Sequence, residues 1–149
     1  MPTLSNNPQL MRAVIMDHYE NPRNKKTPAN LENYDKIHMD SSSCVDDIWV
    51  YLRMENNLVA EMLWDGVACA ISTASTSILS ELVVGKTIEE AKHIINEYQK
   101  MIHEESYDDS LLGEAVVFLN TAKQPARIKC ATLGWDGLLA LLKEEENGR

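Results

Sequence analysis

Positive charge is scarce in this chain: 14 Lys and Arg stand against 23 Asp and Glu, a formal net charge of −9. That balance repels nucleic acid phosphates and anionic membrane surfaces, so neither nucleic acid nor a membrane is an expected partner. No apolar run approaches the roughly 20 residues that cross a bilayer, and the opening MPTLSNNPQL has no apolar core behind a basic patch. The expectation is a cytoplasmic protein. Cysteine is sparse too. Cys44, Cys69 and Cys130 cannot all pair, and a reducing cytosol would keep them as thiols. They lie far apart, with no C-x-x-C pair of the kind that marks a zinc ribbon or a thioredoxin-like redox site.

What is present suits one folded unit. The 149 residues are long enough to bury a core without staples, and 44% hydrophobic with 25% charged residues is ordinary for a globular chain. With no repeat, low-complexity tract or linker, a single domain over residues 1–149 is expected.

Hydrophobic spacing and turn residues sketch the elements. NNPQLMRAVIMDHYENP reads as a helix capped by Asn7, opened by Pro8 and stopped at Asn21-Pro22. A polar loop leads to a strand near Lys36 to Met39. DIWVYLRME alternates as a strand does, Asn56-Asn57 is a hairpin turn, and LVAEMLWDG returns as far as Gly66. A helix follows Cys69, rich in small residues that allow close approach, with Gly85 as its stop. Thr87 and Glu90 form a capping box for an amphipathic helix. An acidic loop, a short helix EAVVFLNTAK and a last helix from about Lys129 to Glu145 complete the chain. The expected class is α+β, a three-stranded antiparallel sheet packed by about five helices.

On this reading each cysteine lies at the end of an element: Cys44 before a strand, Cys69 and Cys130 in the first turns of helices. Helix N-termini carry partial positive charge and free N–H groups, which favour thiolate and make both cysteines candidate ligands, with Arg127 and Lys129 adding positive charge at Cys130. In extended chain Asp46 projects to the same side as Cys44, while Asp47 points away. Three thiolates and a carboxylate make a tetrahedral set for zinc, and nearby basic residues would offset its net negative charge. The alternative is that the cysteines are simply buried, as free cysteine often is.

Other residues carry less. His18 reads as a helix-packing residue, His93 and His103 as solvent-facing, and His38 as a minor candidate for a ligand or proton relay. STASTS lacks a nucleophile turn and reads as helix packing. The three tryptophans read as core or rim.

Three stretches in order, MDHYENPRN (residues 16–24), CAISTASTS (69–77) and PARIKCATL (125–133), resemble the SufU branch of the IscU-like iron–sulfur cluster assembly family. Lys129 before the last cysteine, where the scaffold branch has histidine, and the long segment between Cys69 and Cys130 point to that branch. The resemblance implies zinc held by Cys44, Asp46, Cys69 and Cys130. It further implies a sulfurtransferase-like activity, in which the chain activates a pyridoxal-phosphate cysteine desulfurase of SufS type and accepts its persulfide sulfur. On docking, a partner histidine replaces Cys44 on zinc, Cys44 attacks, Arg127 steadies the thiolates, and the sulfur passes to downstream iron–sulfur assembly proteins. Two alternatives remain: a scaffold holding a transient iron–sulfur cluster on the same ligands, or a divergent relative that binds the desulfurase without passing sulfur. The chain departs from the family pattern around its first cysteine, where Ser41-Ser42-Ser43-Cys44-Val45-Asp46 lacks the usual Asn-Pro and glycine, and Ala68 replaces a second glycine. Both changes are expected to crowd the site and slow Cys44.

Overall fold

Asn7 accepts the Leu10 N–H through its side chain and Pro8 occupies the first turn, so the chain enters helix α1 (Pro8–Glu20) as its residue types require. The structure, a computed structural model, describes residues 4–42 and 45–148, and Cys44 lies outside them. After α1 the NPRN turn folds back on the body. Asn24 takes φ +60, the Trp64 indole N–H donates to Arg23 O at 3.0 Å, and Trp64 N–H donates to Asn24 O at 3.1 Å.

Three antiparallel strands follow in sequence order: β1 (Asp35–Asp40), β2 (Asp47–Glu55) and β3 (Leu58–Val67). The β2–β3 turn is Asn56-Asn57, both at positive φ, the backbone that matches strand twist and that asparagine tolerates. Ile48, Val50 and Leu52 are buried on the face toward the helices, whereas Trp49 on the other face is exposed. The alternation is incomplete, since Tyr51 on the outer face is also buried, 6.5 Å from the Trp49 ring.

Helix α2 (Ala70–Val83) runs through the core and ends before Gly85 at φ +84. Its small residues do what the sequence predicts: a Cβ on Gly134 would stand 2.5 Å from Thr76 Oγ1, so α2 and the last helix touch backbone to side chain. Helix α3 (Ile88–Ile102) carries the complete capping box of Thr87 and Glu90. EAVVFLNTAK is wound as a 3-10 segment, Gly113–Lys123, rather than an α-helix. The adjacent β-branched Val116 and Val117 disfavour the α form, and the tighter winding buries Ala115, Val116, Val117 and Phe118.

The last helix, α4 (Pro125–Asn147), begins four residues earlier than the sequence reading placed it, with Pro125 at the first position, where a missing N–H costs nothing. Cys130 is therefore in its second turn, not its first, and not at an element end. The end charge of α4 is correspondingly further from the sulfur than expected.

One glycine fixes how the sheet meets the site. Gly66, at φ +131, pairs with Ile48, and a Cβ there would overlap Asp47 O and stand 2.8 Å from Ile48 Cα. Substitution Gly66→Ala is expected to lower stability by about 2 kcal/mol or more, read from the urea midpoint, because both the φ and the close approach are denied.

The far end of α4 places Glu145 against Asp35 at the start of β1. Their shared hydrogen bond, with burial and repulsion adding to it, lifts the Asp35 carboxyl to about 6 from an ordinary 3.8. A raised carboxyl favours the folded state below the unfolded value and loses that contribution as pH rises through 6. Asp35→Asn should therefore raise the melting temperature by about one to two degrees at pH 8 and by almost nothing at pH 4.

Candidate metal centre

Asp46 stands at the entry to β2, Cys69 between β3 and α2, and Cys130 within α4. The fold brings the three together, with one ligand atom of each lying within 4.8 Å of the others. Asp46 is 2% exposed and Cys130 1%, while Cys69 is partly open to solvent. Each is held by its own local device.

Cys69 is the N-cap of α2. Its sulfur accepts the Ser72 N–H at 3.4 Å and its carbonyl accepts the Thr73 N–H at 2.9 Å. Asp46 receives the Cys69 N–H on Oδ1 at 2.8 Å, and its Oδ2 lies 4.0 Å from Cys69 Sγ. One carboxylate oxygen thus ties two loops while the other faces the cysteine. Gly66 makes this reach possible by letting the end of β3 ride against Asp47 and Ile48.

Cys130 is positioned through its neighbour Ala131. Ser75 of α2 donates to Ala131 O at 2.6 Å, Tyr98 of α3 donates to it at 2.8 Å, and the Trp135 indole donates to Ser75 Oγ at 2.8 Å. The Tyr98 and Trp135 rings stack 3.5 Å apart, and burial pushes the Tyr98 phenol well above its usual value, so it remains a donor.

The donor set fits a zinc ion. Bonds of about 2.3 Å to sulfur and 2.0 Å to oxygen in a tetrahedron put ligand atoms about 3.3–3.8 Å apart. The 4.0 Å between Asp46 Oδ2 and Cys69 Sγ closes to that range with a small side-chain adjustment. Cys44, the fourth ligand that the sequence suggests, lies outside the described residues, two positions before Asp46.

The other predicted residues distribute as follows. Asp47 points away, as expected, and pairs with His38 at 2.6 Å on the exposed sheet face, so His38 is engaged outside the cluster. Arg127 is exposed one turn before Cys130 and lines an open groove of about 510 Å³ with Met11, Arg12, Ile15 and Ile71. Lys129 faces a different depression, beside Asp136 and Ser42. The expectation that Val45 crowds the site is not met at its side chain, which is 66% exposed and turned to solvent. Spacing along the chain gave no sign of Gly66, Ser75, Tyr98 or Trp135, because their contribution lies in contacts between distant elements. The serine-rich tract was the single available hint.

Comparison with known proteins bears on the chain as a whole. The family model for the NifU-like N-terminal domain matches residues 10–140. The zinc-dependent sulfurtransferase SufU of Bacillus subtilis is 38% identical over 140 residues, covering 93% of each chain. The iron–sulfur cluster assembly scaffold protein IscU of Streptococcus pyogenes is 31% identical, over 94% of this chain and 87% of that protein. A crystal structure of a hypothetical protein superposes with a TM-score of 0.84 at 30% identity, covering 92% of this chain and 99% of that one. With the family model matching residues 10–140 and the sulfurtransferase relative 38% identical over nearly the whole chain, the chain belongs to the NifU-like N-terminal domain family and is a SufU-type member of it.

Proposed function

We propose that this protein serves iron–sulfur cluster assembly as a zinc-dependent sulfurtransferase, taking persulfide sulfur from a pyridoxal-phosphate cysteine desulfurase of SufS type. The observation that carries the reading is the preformed convergence of Asp46, Cys69 and Cys130, supported by the similarity to a protein named for that activity. Cys44, Asp46, Cys69 and Cys130 would hold the metal. Bound there, zinc supplies a divalent charge that keeps cysteine sulfur deprotonated and damps its reactivity.

The rest is the work of the chain's own residues. Asp46 and Cys69 are rigidly placed, one by the Cys69 N–H and the other by its position as helix cap. Cys44 follows three serines in the sequence, Ser41 to Ser43, and is the sulfur acceptor. Its thiolate attacks the outer sulfur of the desulfurase persulfide. A new sulfur–sulfur bond forms at Cys44, the old one breaks, and the desulfurase cysteine leaves as a thiolate. No net oxidation or reduction occurs. Arg12 and Arg127, on the groove beside α2, give this acidic chain a local positive face for an anionic persulfide to approach.

A scaffold role on the same ligands is the second reading, favoured by the scaffold name of the Streptococcus pyogenes relative. The two separate on one experiment. Incubated with desulfurase and cysteine, the protein should gain one sulfur on the peptide that contains Cys44, seen by mass spectrometry, and Cys44→Ala should reduce both the transfer and the stimulation of desulfurase turnover by more than about 100-fold. Undiminished stimulation in Cys44→Ala, or a visible cluster formed in place of a persulfide, would contradict the transfer reading.

A further inference from the structure

The signature MDHYENPRN lies outside the cysteine cluster, and its histidine is not used by the transfer chemistry. His18, in the last turn of α1, is fully buried, 0% exposed, yet its ring does not simply fill the core. Nδ1 lies 2.7 Å from Ser77 Oγ, and Nε2 lies 2.9 Å from Glu114 Oε1 and 3.9 Å from Glu81 Oε1. The three ligand atoms all lie within 4.8 Å of one another.

We propose that His18 Nε2, Glu81 and Glu114 form a second divalent-metal site, separate from the cysteines, which takes a zinc-class cation on one nitrogen and two carboxylate donors. Imidazole and carboxylate are ordinary ligands for such ions, and three protein ligands with open positions left to water is a common arrangement. The two glutamate side chains are about half exposed, at 49% and 50%, so the cation reaches the buried nitrogen from solvent.

What sets this cluster apart from a surface patch of acids is the support behind the histidine. A ligating imidazole needs its other nitrogen fixed by a hydrogen bond, and Ser77 Oγ provides it. Ser77 also accepts the Arg23 N–H at 2.8 Å, so its hydroxyl is itself locked in place. A hydroxyl can play either part. Without metal it donates to Nδ1 while Nε2–H donates to Glu114. With metal on Nε2 it accepts from Nδ1–H, the histidine having changed tautomer. Ser77 lies eight residues beyond Cys69, about 12 Å along the axis of α2, too far for the two sites to share a ligand.

The site would add a metal link among three elements that the His18 hydrogen bonds already join: the end of α1, the end of α2 and the start of the 3-10 segment. One charge opposes it. Arg23 Nε stands 4.0 Å from Glu81, but its guanidinium makes the closer pair with Asp17, 2.8 Å away. A cation arriving between Glu81 and Glu114 therefore meets two carboxylates whose nearest cation is committed elsewhere.

Equilibrium dialysis of the full-length zinc-loaded protein against Co2+ tests this. The wild type should bind one more equivalent of cobalt than Glu81→Gln/Glu114→Gln, whose affinity at this site falls by more than about 100-fold, beyond what loss of an outer partner costs. Because the donors are nitrogen and oxygen, that additional equivalent should add weak visible bands without the strong thiolate charge-transfer absorption of cobalt on cysteine. Both substituted side chains are half exposed, so the variant should retain the wild-type melting temperature measured without added metal. Equal cobalt counts in wild type and variant, or a thiolate band on the equivalent that distinguishes them, would overturn the proposal.

Discussion

The carbonyl oxygen of Ala131 is the point on which the helical half of this protein turns. It accepts hydrogen bonds from Ser75 and Tyr98, and Ser75 in turn accepts from Trp135, so three helices are joined at one acceptor in a fully buried place. A buried polar network of this kind is costly unless every member is satisfied, and here the donors and acceptors match in number. Its neighbour in the chain is Cys130. The network therefore fixes the height and rotation of α4 at the residue whose sulfur must meet Cys69. Gly134, one turn on, admits Thr76 and keeps α2 and α4 close enough for that meeting.

The sheet supplies the other half of the cage. Asp46 enters from the start of β2 and Cys69 from the end of β3, two strand ends held side by side by the Gly66 pairing. The carboxylate does two jobs with two oxygens, one accepting the Cys69 N–H and the other facing the cluster. A chain with formal charge −9 thereby concentrates further negative donors at a single point, which favours a divalent cation and disfavours leaving the point bare. Arg12 and Arg127 line the adjacent groove.

Elements with their own local grammar were legible in the sequence. The Asn7-Pro8 start of α1, the Thr87–Glu90 capping box, the Asn56-Asn57 turn and the strand β2 all state their structure within a few residues, and each is found where expected, the alternation of β2 failing at its buried Tyr51. α4 begins at Pro125 rather than near Lys129, because proline suits a first helical position as well as it suits a loop. The short helix EAVVFLNTAK is present, and its 3-10 winding was not legible because apolar content does not distinguish the two helix types. For the site, Asp46 and the two described cysteines were candidates from residue type and position, and the structure brings them together, while the contacts that aim them were not legible. Ser75, Tyr98 and Trp135 are separated by tens of residues, and their hydrogen bonds exist only once the helices pack. Val45 differs from expectation at one point: its type suggested crowding, but its side chain is exposed to solvent.

The central claim is that four residues from four places in the chain form one zinc cage. X-ray absorption at the zinc edge of the purified protein reads that cage directly. The account predicts a first shell of three sulfur atoms at about 2.3 Å and one oxygen at about 2.0 Å, with the oxygen contribution altered in Asp46→Ala and one sulfur lost in Cys44→Ala. A shell of two or fewer sulfurs in the wild type, or one unchanged by both substitutions, would contradict it.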